Sequence, residues 1–278
     1  MEPGLYLVAT PIGELRDLSA RARQVLEAAD VVAAEDTRTT RRLFRELELP
    51  TPPMVSYHDH NEQQRVPALL QRLEAGERVA LVSDAGTPLI SDPGYRLVQA
   101  AAAAGVRVVP VPGPCAAVAA LSASGLPTDR FVFLGFLPRS EGKRGAALEG
   151  FRGDAATLVL YEAPHRIRAT LRTAREQLGD RPACLAISLT KVWERFHRGS
   201  LADISRAMED DEEVIGEMTL VIGGASGEVA AEQWERAERL IARLVALDIP
   251  ASAVRDAVCE AFDLPRREVY QAVLRARA

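Results

Sequence analysis

The chain has 278 residues, 47% of them hydrophobic and 26% charged, with a net charge of −5; these are ordinary values for a soluble globular protein, so disorder is not the default expectation. The longest apolar region, residues 97–126, is interrupted by Arg107 and three prolines and is not expected to span a bilayer, and Met1-Glu2-Pro3 runs into a strand-like Leu5-Tyr6-Leu7-Val8 without the basic start of an export signal. Cys115, Cys184 and Cys259 are scattered and odd in number, which suits a reducing cytoplasmic setting and offers no zinc spacing, while the acidic balance argues against a general nucleic-acid coat.

In chain order, short β-rich runs alternate with amphipathic helical runs, the pattern of a mainly parallel sheet covered by helices. Strands are expected at residues 5–9, 31–34, 54–57, 78–83 and 107–111, and helices at 20–28, 39–47, 62–75 and 95–104. Ser19 is placed to cap the first helix, and Gly105 to stop the last. A small-residue helix at 116–124 follows Pro112-Gly113-Pro114, and four further strands at 131–136, 157–161, 183–189 and 217–223 read as a second α/β unit with mixed pairing. The acidic run 209–213 reads as a solvated helix end. From residue 225 the strands stop, and helices at 230–247, 251–262 and 266–276 suggest a helix-turn-helix-like module, or equally a docking or dimerisation tail. The expected division is therefore 1–113, 114–224 and 225–278.

Basic residues are nearly all arginine, Lys143 and Lys191 being the two lysines. Arg38, Arg41, Arg42 and Arg45 recur at i, i+3, i+4 and i+7, which gathers them on one helix face as either a solvated surface or a stripe for RNA phosphate. No Gly-x-Gly-x-x-Gly or Walker loop follows a strand. Instead, three turn-rich loops stand at strand ends: Thr10-Pro11-Ile12-Gly13, Ser83-Asp84-Ala85-Gly86-Thr87-Pro88 continuing to Ser91-Asp92-Pro93-Gly94, and Val111-Pro112-Gly113-Pro114-Cys115-Ala116. Ligands of open α/β sheets bind outside the carboxyl ends of strands, so the three loops together suggest one cleft. Asp36 reads as a helix N-cap, and His58, His60 and His165 sit in polar loops.

Leu5-Tyr6-Leu7-Val8-Ala9-Thr10-Pro11-Ile12-Gly13, Glu35-Asp36-Thr37-Arg38, His60-Asn61-Glu62, Leu81-Val82-Ser83-Asp84-Ala85-Gly86-Thr87-Pro88 and Tyr161-Glu162-Ala163-Pro164-His165-Arg166 stand in an order that resembles the ribosomal RNA small-subunit methyltransferase I family, a branch of the tetrapyrrole (class III) methylases. The likeness runs from about Gly4 to Gly224, and the helical tail resembles that family's C-terminal extension. The resemblance implies an α/β, two-domain fold of the tetrapyrrole-methylase type with a cofactor cleft between the domains, in a homodimer. It implies S-adenosylmethionine as cofactor, no metal, and 2′-O-methylation of a cytidine in the decoding region of small-subunit rRNA, as naked RNA or in the assembled subunit. The implied cofactor contacts are Pro11, Ser83, Asp84, Ala85, Cys115 and Ala116, with Glu162 and Thr190 from the second domain.

For RNA, the candidates are the arginine stripe, His60, Asn61, Arg266 and Arg267, and the first candidate for a base is Lys191, since a desolvated lysine can act near neutral pH. Two positions depart from the family pattern: Glu14 replaces an asparagine, and Ile187-Ser188 replaces an Arg-Glu pair, which removes two charges beside Thr190 and Lys191. A porphyrinoid methylase of the same fold and a non-catalytic RNA-binding protein are the competing readings.

Overall fold

Strands β1 (Gly4–Val8), β2 (Val31–Ala34), β3 (Met54–Ser56), β4 (Arg78–Val82) and β5 (Val108–Val111) are rich in β-branched residues and alanine and form one sheet in the order β3-β2-β4-β1-β5, parallel at every contact. The computed structural model describes residues 1–211, 214–262 and 264–277, and of residues 227–233 the backbone alone. Because strand side chains alternate between faces, the sheet serves two cores. Tyr6, Val8, Val32, Ala34, Ala80 and Val82 pack on one face against Ala22, Val25 and Leu26 of α1 (Ala20–Ala28) and Phe44 of α2 (Thr37–Glu46). On the other face, Leu5, Val31, Ala33, Val79 and Leu81 meet Leu69 and Leu73 of α3 (Glu62–Glu74) and Leu97 and Ala101 of α4 (Tyr95–Ala103). Each fully buried aliphatic side chain of this kind stabilises the fold by about 1.5–3 kcal/mol.

Caps set the helix starts. The Ser19 hydroxyl accepts from Ala22 N at 3.0 Å, as its sequence position predicts. Helix α2 begins at Thr37, two residues before the expected start, because the Asp36 carboxylate accepts from Arg38 N at 2.7 Å and so satisfies one of the exposed first-turn amides.

After α5 (Ala116–Ser124), β6 (Phe131–Phe136), β7 (Thr157–Glu162), β8 (Pro182–Ile187), β9 (Arg195–Ser200) and β10 (Met218–Ile222) form a second sheet ordered β6-β7-β10-β8-β9, with α6 (Glu141–Glu149), α7 (Ile167–Leu178) and α8 (Leu201–Asp210) between them. β6 and β7 are parallel, with a register shift between Phe133 and Gly135. β9 was not anticipated: none of its residues is buried, so it carries no apolar signal. α8 ends at Asp210, and residues 212 and 213 of the acidic run lie outside the described residues.

Helices α9 (Gly227–Ala246), α10 (Ala251–Phe262) and α11 (Arg266–Arg277) share a core of Ala237, Ile241, Val254, Val258, Val269, Ala272 and Val273. Residue 263, in the expected second turn, lies outside the described residues. On α11, Ala272 is buried beside Val269 and Val273, whereas Leu274 is 47% exposed. Position i+3 from Val269 lies on the same helix face, whereas i+5 is rotated well away from it.

Two compact units divide the chain: Met1–Ala123 with Ala186–Phe196 and Gly216–Thr219, and Ser124–Leu185 with His197–Ile215 and Leu220–Ala278. This grouping differs from the three-part division at 114 and 225, since α5 goes with the first unit and the three tail helices with the second. No helix among the described residues is long and apolar enough to cross a membrane.

Candidate active site

The connections from β1 and β4 leave in opposite directions, β1 toward β2 and β4 toward β5, although the two strands are neighbours. In parallel α/β sheets such a reversal opens a crevice at the carboxyl ends of the two strands, where ligands bind. Here the crevice is flanked by the Thr-Pro-Ile-Gly loop after β1 and the Ser-Asp-Ala-Gly loop after β4.

These loops are fastened together. Thr10 N donates to Gly86 O at 2.9 Å and Gly86 N to Thr10 O at 3.0 Å, a small antiparallel bridge that Gly86 permits through a φ of 84°. The third loop joins through the Thr87 hydroxyl, which donates to Pro114 O at 2.9 Å, beside Cys115 and Ala116 at the start of α5. The end of β2 joins through Asp84: its carboxylate accepts from Asp36 N at 3.0 Å, and its own amide donates to Glu35 at 3.3 Å. Leu89 and Ser91, in the continuation of the second loop, hold left-handed backbone conformations with φ near 70°, strain of a kind that collects at functional sites.

This edge is acidic. Burial pushes the Glu35 and Asp84 carboxyls up from their ordinary values, with neighbouring carboxylates adding to the effect. Asp92, in the same loop as Asp84, is pushed up to about 6, first by burial, against a hydrogen bond from Ser83, with Glu35, Asp84 and Asp59 adding repulsion. Carboxylates here suit hydroxyls and positively charged groups.

Pro11, Ser83, Asp84 and Ala85 line one depression together with Arg42 and Lys191. Its floor is a close approach: a Cβ on Gly13 would lie 2.6 Å from the Thr190 hydroxyl and 2.9 Å from Leu189 O, so only glycine lets the 188–194 turn seat on the first loop. Residues 4–205 match the family model described as Tetrapyrrole (Corrin/Porphyrin) Methylases. Ribosomal RNA small subunit methyltransferase I of Micromonospora olivasterospora is 49% identical over 269 residues, covering 97% of this chain and 86% of that protein. The protein of the same name from Synechocystis is 45% identical over 276 residues, covering 99% and 98%.

The chain belongs to the ribosomal RNA small subunit methyltransferase I family of tetrapyrrole methylases.

Among solved structures, uroporphyrin-III-C-methyltransferase from Thermus thermophilus superposes with a TM-score of 0.54 at 23% identity, over 83% of this chain and 97% of that one, and shares the fold.

The remaining residues that this family pattern singles out divide into those on or near the crevice and those used elsewhere. Thr190, expected from the second domain, groups with the first unit, because its hydroxyl accepts from Glu14 N at 3.0 Å. Glu14 itself turns its carboxylate to Arg16, whose guanidinium holds it down to about 2. Lys191 donates to Glu217 at 3.1 Å, a partner 26 residues away that nothing in the sequence advertises. Both oxygens of the buried Glu162 are engaged: one accepts from Ala163 N with Arg166 Nε 3.2 Å away, and the other accepts from the Thr170 hydroxyl at 2.5 Å. Contact between that side chain and a ligand would displace one of these bonds.

Asn61 likewise works locally, accepting from His58 N and donating to Ser56 O, whereas His60 is exposed. Arg38, Arg41, Arg42 and Arg45 are all exposed on α2, with Arg42 paired to Glu46 at 2.7 Å. On α11, Arg267 is exposed and Arg266 sits 3.7 Å from Asp256. Among the described residues, no group of three or more His, Cys, Asp or Glu is arranged to hold a metal ion.

Proposed function

We propose that the chain transfers a methyl group to the ribose 2′-oxygen of a cytidine in the decoding region of small-subunit rRNA, as a cytoplasmic homodimer. Its relatives are named for methylation of small-subunit rRNA, which favours this reading over a porphyrinoid methylase. The observation that carries the site is the interlocking of the loops after β1, β4 and β5 around an acidic crevice. S-adenosylmethionine, the cofactor of this class of methyltransferase, supplies an electrophilic methyl on a sulfonium and needs no metal from the chain.

The residues present fit such a group. Pro11, Ser83 and Ala85 offer backbone at strand ends beside Gly13 and Gly86, Asp84 offers a carboxylate for ribose hydroxyls or a cationic amine, and Cys115 and Ala116 follow the third loop, which Thr87 ties to the second. Glu162 and Thr190 complete the proposed set.

The chain's own task is alignment of the 2′-oxygen and removal of its proton. Lys191 donates to Glu217 through one of its N–H bonds. In this reading its remaining donors hold a substrate oxygen, and it stays the first candidate for the base. The proposed RNA contacts are the arginines of α2 with His60 and Asn61 in the first unit, and Arg266 and Arg267 in the second. Calorimetry with Asp84→Ala tests the cofactor assignment: removing an aimed acceptor is expected to weaken S-adenosylmethionine binding by about 1–3 kcal/mol. Unchanged affinity in a folded variant would remove Asp84 from the site.

A further inference from the structure

Lys191 N donates to Ser188 O at 3.0 Å and Glu194 N to Lys191 O at 3.0 Å, which closes a turn with Val192 and Trp193 at its tip. Thr190 N adds a bond to the Glu194 carboxylate at 2.7 Å, and the Thr190 hydroxyl pins the turn to Glu14. Ser188 and Thr190 adopt left-handed φ values of 53° and 63°, unfavourable for residues that carry a Cβ. This constrained turn buries neither residue at its tip: Val192 is 98% exposed and Trp193 64%. Lys191, two residues before Trp193 and so within roughly 8 Å along the backbone, lines the same depression as Pro11 and Asp84.

We propose that Trp193 is a stacking platform for a nucleobase of the RNA substrate, set beside the cofactor loops by this rigid turn. The inference rests on the rRNA methylase reading and deepens it. A reaction at a ribose hydroxyl requires the nucleotide to be drawn out of its neighbours, and an exposed indole replaces the lost base stacking whatever the base. Rigidity matters because a platform that must be ordered on binding loses part of its affinity to that ordering. Lys191 then lies where it can meet the backbone or ribose of the stacked nucleotide.

The test uses the full chain and small ribosomal subunits as methyl acceptor. Trp193→Ala should raise KM for the subunit by roughly 5- to 100-fold, with S-adenosylmethionine affinity unchanged, and Trp193→Phe should recover most of the loss. Trp234 is the second of the chain's two tryptophans; in a Trp234→Phe background a cytidine-containing oligoribonucleotide should quench the Trp193 fluorescence. An unchanged KM in Trp193→Ala beside an active parent overturns the proposal. So does a shift of Trp193→Ala from dimer to monomer in sedimentation, which would assign the indole to a subunit interface. If the parent itself methylates no small subunit, the rRNA reading fails on its own, and quenching or its absence still decides whether Trp193 binds RNA.

Discussion

Replacing Gly13 with alanine perturbs the point where the 188–194 turn meets the first loop. The added Cβ would lie 2.6 Å from the Thr190 hydroxyl oxygen, 2.7 Å from Lys191 Cγ and 2.9 Å from Leu189 O. The lysine chain can swing aside, but the Leu189 carbonyl belongs to the backbone, and the Thr190 hydroxyl is held by Glu14 N at 3.0 Å. Relief therefore requires the turn to retreat by roughly half an ångström or more, with overpacking of this kind costing about 1–3 kcal/mol. Loss of the Glu14–Thr190 bond is part of that cost, at about 1 kcal/mol. In a chain of this size, 1 kcal/mol corresponds to a Tm change of about 2–4 °C.

Thermal unfolding of Gly13→Ala should accordingly show a modest fall in Tm. Methyl transfer to small ribosomal subunits should fall at least tenfold, because Lys191 and Trp193 ride on the displaced turn. Adding Thr190→Gly, which removes the nearest clash at a left-handed position that glycine favours, should recover part of the stability. A Gly13→Ala variant with parental Tm and parental kinetics would refute the idea that the turn's seating on Gly13 sets the site.

Three further outcomes are expected. Asp92 holds its proton more tightly folded than unfolded, with a folded pKa of about 6 against an ordinary 3.8, so stability falls as pH rises from about 4 to about 6 and the penalty stays constant above that. Asp92→Asn should raise neutral-pH stability by about 1–2 kcal/mol, an advantage that vanishes below about pH 4 in urea titrations; a pH-independent difference would contradict it. Arg38 and Arg45 make no ion pair among the described residues, and their double glutamine variant should lower the slope of log affinity against log salt for small-subunit RNA by about 1–2 without altering cofactor binding. Gly224 packs against Ala155, and Ala225 N donates to Asp154 O at 2.7 Å, so a truncation after Ser226 keeps this anchor; it should bind S-adenosylmethionine normally but lose affinity for the ribosomal substrate, and full activity at limiting substrate would exclude an RNA role for the tail.

Most of the strand–helix alternation was legible, because β1, β2 and β4 are short apolar runs with turn residues at each end. The loops at the crevice were legible as words, since Pro, Gly and Asp mark turns wherever they fall. Side-chain partnerships across sequence were not. The Lys191–Glu217 pair, the engagement of Glu162 by Thr170 and Arg166, and the raised Asp92 carboxyl depend on tertiary placement that composition and periodicity do not encode. β9 was missed for the opposite reason, as an exposed strand has no core to pattern itself on. Trp193 offered one signal that could have been taken up, a lone indole among charged residues in Lys-Val-Trp-Glu-Arg.

The central claim is methyl transfer to a cytidine ribose of small-subunit rRNA, and the most direct measurement is mass spectrometry of nuclease fragments of that rRNA from cells with and without the gene. The account predicts one cytidine that loses a single methyl in the deletion strain. The phosphodiester 3′ to that nucleotide should resist alkali in the parent, since cleavage needs a free 2′-hydroxyl. Identical fragments in both strains, or a missing methyl carried on a base with the neighbouring bond alkali-sensitive, would contradict it.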